Sequence, residues 1–168
     1  MAKRTRKKDI RGGIAVKAWK MAIKGYDYGT ISKEIGFTST SVNLYLKARF
    51  KKEASEIWSE IIRSVGVCEV CGKTCIKLNA HHILEKSKWT HLRFDLNNGV
   101  CLCEDHHTMN PILSPHNNVV SSDNFLTWMR KNKNKKYQYY LDHKDDQLFQ
   151  EIDYETEYYR LKDVMNER

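Results

Sequence analysis

Four residues at fixed separations constrain this 168-residue chain more than any other feature of it. Cys68-Glu-Val-Cys71-Gly72 sets two thiols on one tight turn, and Cys103-Glu-Asp-His106 repeats the separation with a thiol and an imidazole. The pattern C-x2-C-x31-C-x2-H is a donor set suited to tetrahedral Zn2+. Four protein ligands fill the shell, so Cys68, Cys71, Cys103 and His106 are expected to hold a structural zinc rather than a catalytic one. In a segment too short to bury a large core, such an ion supplies much of the folding free energy. All five cysteines lie between Cys68 and Cys103. Without an export signal, that clustering argues for metal and against a disulfide framework. Cys75 and Cys101 are the competing thiols, and Cys101 is expected to pack within a strand at residues 100–103.

Charge divides the chain as sharply as cysteine does. Residues 1–67 hold 15 basic and 6 acidic side chains, residues 68–107 hold 5 and 5, and residues 108–168 hold 9 and 10. The excess of +8 is therefore N-terminal. A concentrated basic surface attracts polyanions, with nucleic acid the leading candidate and a solvated tail the plain alternative. No apolar run of about 18 residues occurs, which excludes a membrane-spanning helix by pattern. Lys17, Lys20 and Lys24 interrupt the stretch where a signal peptide needs an unbroken apolar core. A cytoplasmic protein is the expectation.

Along the chain, residues 1–9 form a basic arm. Residues 10–50 show helical spacing in three pieces. Ile14, Ala15, Ala18, Trp19, Ala22 and Ile23 mark one face, and Ile31 and Ile35 a short second helix that Gly36 can end. Val42, Tyr45 and Leu46 mark a third helix, capped by Thr38 or Ser39 and running to about residue 49. Helix, glycine turn and helix over an earlier helix read as a helix-turn-helix-like DNA-binding domain, or as a helical hairpin that merely packs. As a DNA reader it would use Thr40 and Asn43 at the start of its third helix, with Lys47 and Arg49 on phosphates. Residues 51–65 read as a connecting amphipathic helix and residues 66–115 as the metal-binding module. Residues 116–168 read as a C-terminal helical extension, with helices near 124–131 and 147–164. The KNKNKK patch reads as solvated, or as a further phosphate contact.

Between the two ligand pairs lie Asn79-Ala80-His81-His82-Ile83 and Leu96-Asn97-Asn98-Gly99-Val100, and His107 directly follows the last zinc ligand. In order and spacing, over about residues 66–110, these resemble the HNH nucleases. The resemblance implies an α+β chain containing the ββα-metal fold, in which a strand carries the paired histidines and a loop carries the asparagine. A second strand and a helix then deliver the last histidine. It implies a phosphodiester hydrolase with His82 as general base and Asn98 orienting that imidazole or coordinating the cation. His81 and His107 would be ligands of a catalytic divalent cation, Mg2+, Mn2+ or another. Many family members carry an acidic residue where this chain has His81, so the favoured cation can differ.

The chemistry asks for these groups. An imidazole titrating near neutrality can deprotonate water, and a divalent cation can stabilise the leaving oxygen. Neighbours on a helix diverge by about 100°, so His106 and His107 can face separate sites. Consecutive strand residues face opposite sides, so His81 and His82 can share a site only where the strand ends or bends. Arg93 is either a clamp for the scissile phosphate or a loop surface charge. His91 and His116 read as exposed loop residues, Glu104 and Asp105 as helix-opening acids, and Trp89 and Phe94 as a small core behind the loop.

Two functions of different class stand at this point. One is a double-stranded DNA endonuclease that joins a helix-turn-helix to an HNH module, as free-standing or intron-linked phage nucleases do, of homing or nicking type. The other is a non-catalytic zinc-stabilised DNA-binding regulator, which has no use for His82 or Asn98. An RNA-directed or toxin-like nuclease is a third possibility.

Overall fold

The computed structural model describes residues 10–146 and 148–168. The expected basic arm at residues 1–9 lies outside them, as does Gln147. The chain is α+β, helical apart from one two-stranded antiparallel sheet. It divides into two compact units, Met1–Glu53 and Ala54–Arg168.

The first unit is built from α1 (Gly12–Ala22), α2 (Tyr28–Ile35) and the first part of α3 (Ser39–Arg63). The Asp27 carboxylate caps α2 by accepting the Thr30 N–H at 3.0 Å. Gly36 ends α2 in the left-handed region, at φ 69°. Thr38 Oγ1 accepts the Ser41 N–H at 3.2 Å and so starts α3. Ala18, Ala22, Ile31, Val42, Leu46 and Phe50 form the core. The buried stripe of α1 is narrower than its apolar spacing suggests, since Ile14 and Ile23 are exposed.

The helix expected to stop near residue 49 and the connecting helix expected at 51–65 form one helix of 25 residues. No glycine or proline interrupts residues 47–54, and Val42, Leu46, Phe50, Ala54 and Trp58 continue one stripe at four-residue steps. Lys51 and Lys52, at the expected junction, sit on the exposed side.

In the second unit β1 (Leu78–His82) pairs with β2 (Gly99–Cys103), with Leu78 opposite Cys103 and His82 opposite Gly99. Val100 and Leu102 join Cys68, Phe125 and Met129 in a buried cluster. Phe125 and Met129 come from α4 (Val119–Asn132), which Asn118 and Ser121 start with reciprocal capping bonds. At Gly99 a side chain has no room, because an added Cβ would sit 2.6 Å from Ile62 Cγ1 and 3.1 Å from the Trp58 ring.

After β2, where a helix was expected, the chain makes a single π-helical turn, Asp105–Met109. Its i to i+5 bond runs from the Asn110 N–H to the Asp105 carbonyl at 2.8 Å. α4 starts five residues before the expected 124. The extension also contains a helix not foreseen, α5 (Asn134–His143), before α6 (Tyr154–Asn166).

Candidate metal centre and catalytic cleft

The turn at residues 68–72 closes through the Gly72 N–H to the Cys68 carbonyl at 2.8 Å, with Gly72 at φ 68°. That geometry brings the sulfurs of Cys68 and Cys71 to the sulfur of Cys103 and a ring nitrogen of His106. All four ligand atoms lie within 4.8 Å of one another. His106 Nδ1 is 3.2 Å from Cys103 Sγ and 3.8 Å from Cys68 Sγ. Such a cluster can hold a metal ion, and its donors, three sulfurs and an imidazole nitrogen, are compatible with structural zinc. Cys101 stays outside it, fully buried in β2, where burial first and the nearby Glu69 carboxylate second push its thiol up to about 11.

Glu69, between the two knuckle cysteines, had no sequence signal. Its carboxylate accepts the Cys101 N–H at 2.9 Å and pairs with Lys136 at 2.9 Å and Lys133 at 3.1 Å. Lys133 and Lys136 of the KNKNKK patch are therefore half-buried in ion pairs, while Lys131 and Lys135 stay exposed. The two ion pairs fasten α5 to the knuckle.

A second cluster lies on the other side of His106. Ligand nitrogens of His81, His107 and His116 come within 4.8 Å of one another. Their ring centroids are separated by 5.5 Å (His81–His107), 4.6 Å (His81–His116) and 4.9 Å (His107–His116). His81 is buried, His107 half-buried and His116 exposed, so the cluster opens to solvent on one side. His116 is the exposed loop residue expected, and it also joins the cluster. Ser114 explains its position: the hydroxyl donates to the His107 carbonyl at 2.9 Å and accepts the His116 N–H at 3.3 Å, folding the loop back. Burial holds the imidazole of His81 well below its usual pKa, with the neighbouring histidines adding to the effect. His107 is lowered in the same way, by burial and then by His116 and Lys77. Both are neutral at pH 7 and keep lone pairs for a cation.

His82 ends β1 and is not a member of that cluster. Its ring stacks on Trp58 of α3, with centroids 3.8 Å apart and planes at 10°. Its Nε2 lies 2.8 Å from the Arg93 carbonyl, which can only accept. Nε2 therefore carries the proton and Nδ1 the lone pair. Burial lowers the His82 pKa to about 4, the positive charges of Lys86 and Arg93 act in the same direction, and the Arg93 hydrogen bond opposes them. Because the strand stops at His82, both histidines reach one open cleft of about 710 Å3, together with Lys86, His107 and His116.

Asn98 departs from its expected place. It is fully buried and bonds neither the His82 ring nor the histidine cluster. Its Oδ1 accepts the Leu84 N–H at 2.7 Å, while Nδ2 donates to the carbonyls of Leu84 at 3.0 Å and Leu92 at 3.1 Å. It clamps the ends of the loop whose Arg93 carbonyl bonds the His82 ring, and so reaches His82 only through the backbone. Arg93 differs too. Its Nη2 donates to the Lys86 carbonyl at 3.2 Å, its Nε is buried, and it does not line the cleft. The guanidinium braces the loop instead of facing a substrate.

The C-terminal region supplies a further brace that sequence reasoning missed. Tyr139 donates to Asp95 at 2.8 Å, the Trp89 indole to the His143 carbonyl at 2.8 Å, and Arg160 to the Phe94 carbonyl at 2.9 Å. Thr90 exchanges bonds with Leu148 and Gln150. In the first unit, Thr40, Asn43 and Lys47 are exposed on α3. Arg49 pairs with Glu53 at 2.6 Å and lies over the Trp19 ring at 5.3 Å.

Comparison of the chain with protein-family models, curated proteins and solved structures found no match. Among the described residues no helix is long and apolar enough to cross a membrane.

Proposed function

We propose that the protein is a metal-dependent DNA endonuclease of the HNH type. The observation that carries this reading is one cleft shared by a neutral imidazole with a free Nδ1 and by three imidazoles converging as ligands. The order of His81, His82, Asn98 and His107 in the sequence supports it.

His82 Nδ1 takes a proton from the attacking water as the new oxygen–phosphorus bond forms. The Arg93 carbonyl, bonded to Nε2–H, steadies the imidazolium that results. His81, His107 and His116 would hold the catalytic cation. A divalent ion bound there supplies charge stabilisation to the phosphoryl and leaving oxygens. An all-imidazole set ranks Mn2+ and later first-row ions above Mg2+, which prefers oxygen donors. Cys68, Cys71, Cys103 and His106 would hold zinc as a staple, apart from the chemistry. Thr40, Asn43 and Lys47 on α3 offer exposed polar and cationic groups to double-stranded DNA, and the N-terminal charge supports that partner.

The test is cleavage of supercoiled plasmid with Mg2+, Mn2+ or Ni2+. His82→Ala is expected to lose at least about 100-fold in rate with DNA affinity and zinc content kept. A parent protein that binds DNA but never cuts it, with any of these ions, would establish the non-catalytic regulator instead.

A further inference from the structure

The cleft that holds His82 and the three-histidine cluster contains one fixed positive charge, and its position suggests a use. Lys86 lines that cleft and is exposed. Among the described residues its ammonium has no carboxylate or hydrogen-bond partner. The neighbouring cations do: Lys88 pairs with Glu85 at 3.2 Å, and Lys77 with Glu104 at 2.8 Å. Glu85, the acid in the same lining, is taken up by Lys88 and by the Ser87 hydroxyl. A cleft whose acid is neutralised and whose lysine is not attracts an anion.

The backbone beneath Lys86 is held on three sides. The Lys88 and Trp89 N–H groups both donate to the Glu85 carbonyl at 3.0 Å, and the Trp89 indole is anchored on the His143 carbonyl. Arg93, for which a phosphate clamp was one of two readings, spends its Nη2 on the carbonyl of Lys86 itself. The guanidinium thus positions the residue that replaces it. A lysine on a braced turn loses less entropy on meeting a ligand than one on a loose loop.

We propose that Lys86 binds a non-bridging oxygen of the scissile phosphodiester and stabilises the charge that grows there as water attacks. This rests on the nuclease function above and deepens it. The bond from water oxygen to phosphorus forms, the bond from phosphorus to the leaving oxygen breaks, and the water proton goes to His82. Lys86 donates hydrogen bonds throughout and transfers no proton. Arg93 is a positioning residue for it.

Single-turnover cleavage by the full-length, zinc-loaded protein with Mn2+ tests this, measured for the parent, Lys86→Ala, Lys86→Arg and His82→Ala. DNA affinity is measured separately without divalent ion. Lys86→Ala is expected to slow cleavage at saturating protein by about 10- to 100-fold while affinity changes less than about threefold. Lys86→Arg, which keeps the charge, is expected to recover to within about fivefold of the parent. Lys86→Ala cutting at the parent rate beside an inactive His82→Ala would overturn the role of Lys86 alone. A slow rate explained wholly by weaker binding would overturn it too. If His82→Ala cut as fast as the parent, the nuclease assignment of the cleft would fail and Lys86 with it.

Discussion

Asn98 is a side chain that does backbone work. One amide satisfies a buried N–H and two buried carbonyls at the mouth of the loop over residues 84–98. An aspartate there keeps the acceptor for Leu84 N–H but turns two donors into oxygens facing carbonyls. Asn98→Asp is therefore expected to cost about 3 kcal/mol or more in urea unfolding, since buried polar groups left unpaired cost about 1–3 kcal/mol each. Cleavage should fall because the Arg93 carbonyl no longer holds His82 in place. An Asn98→Asp protein that stayed as stable as the parent but lost activity would point to direct contact with substrate instead. The residue was legible in the sequence, but its task was not. Spacing identifies which groups recur, whereas hydrogen-bond partners fourteen residues away depend on how the loop closes. His116 shows the same limit from the other side. It sits nine positions past His107 in a polar loop with no periodicity, and bonds from the Ser114 hydroxyl and the Asn117 amide fold that loop back.

Among the elements, the hairpin is the smallest and depends most on its neighbours. Two strands of five residues are marginal alone, so their register must be fixed by what covers them. Gly99 is where α3 comes nearest. Gly99→Ala would drive a methyl into Ile62 and against Trp58, the ring on which His82 stacks. Overpacking of this kind costs about 1–3 kcal/mol, readable as a lowered urea midpoint at unchanged slope. Gly99→Ala combined with Ile62→Val should recover part of the loss, and a single variant as stable as the parent would show that α3 yields there easily. The glycine stood in plain view in the LNNG stretch, and its meaning came only with a helix 37 residues earlier in the chain. Where the local signal is strong the reading holds: Gly36 marks the end of α2 in the sequence, whereas the Asp27 cap at its start carried no expectation. α5 was not readable, because KNKNKK has no apolar stripe. What fixes it is the pairing of Lys133 and Lys136 with Glu69, an interaction across more than sixty residues.

At the scale of the whole molecule, the two clusters able to hold a metal ion differ in their exposure to solvent. The Cys68, Cys71, Cys103 and His106 set contains two buried thiols, and the knuckle is sewn to β2 and α5 through Glu69. Cys71→Ser is expected to lose zinc and to unfold the Ala54–Arg168 unit, seen as lost near-ultraviolet signal from its tryptophans. The Met1–Glu53 unit draws its stability from its own apolar core and should keep much of its helical signal. A Cys71→Ser protein with the parent's metal content and melting temperature would remove zinc from the account.

His116, by contrast, stands at the surface, its N–H bonded to the Ser114 hydroxyl. On the proposed nuclease reading, one wall of the second seat is a door. A cation held by His81, His107 and His116 would leave past His116 without any thiol being disturbed. A mild chelator is expected to remove it while the four-ligand staple keeps its own ion.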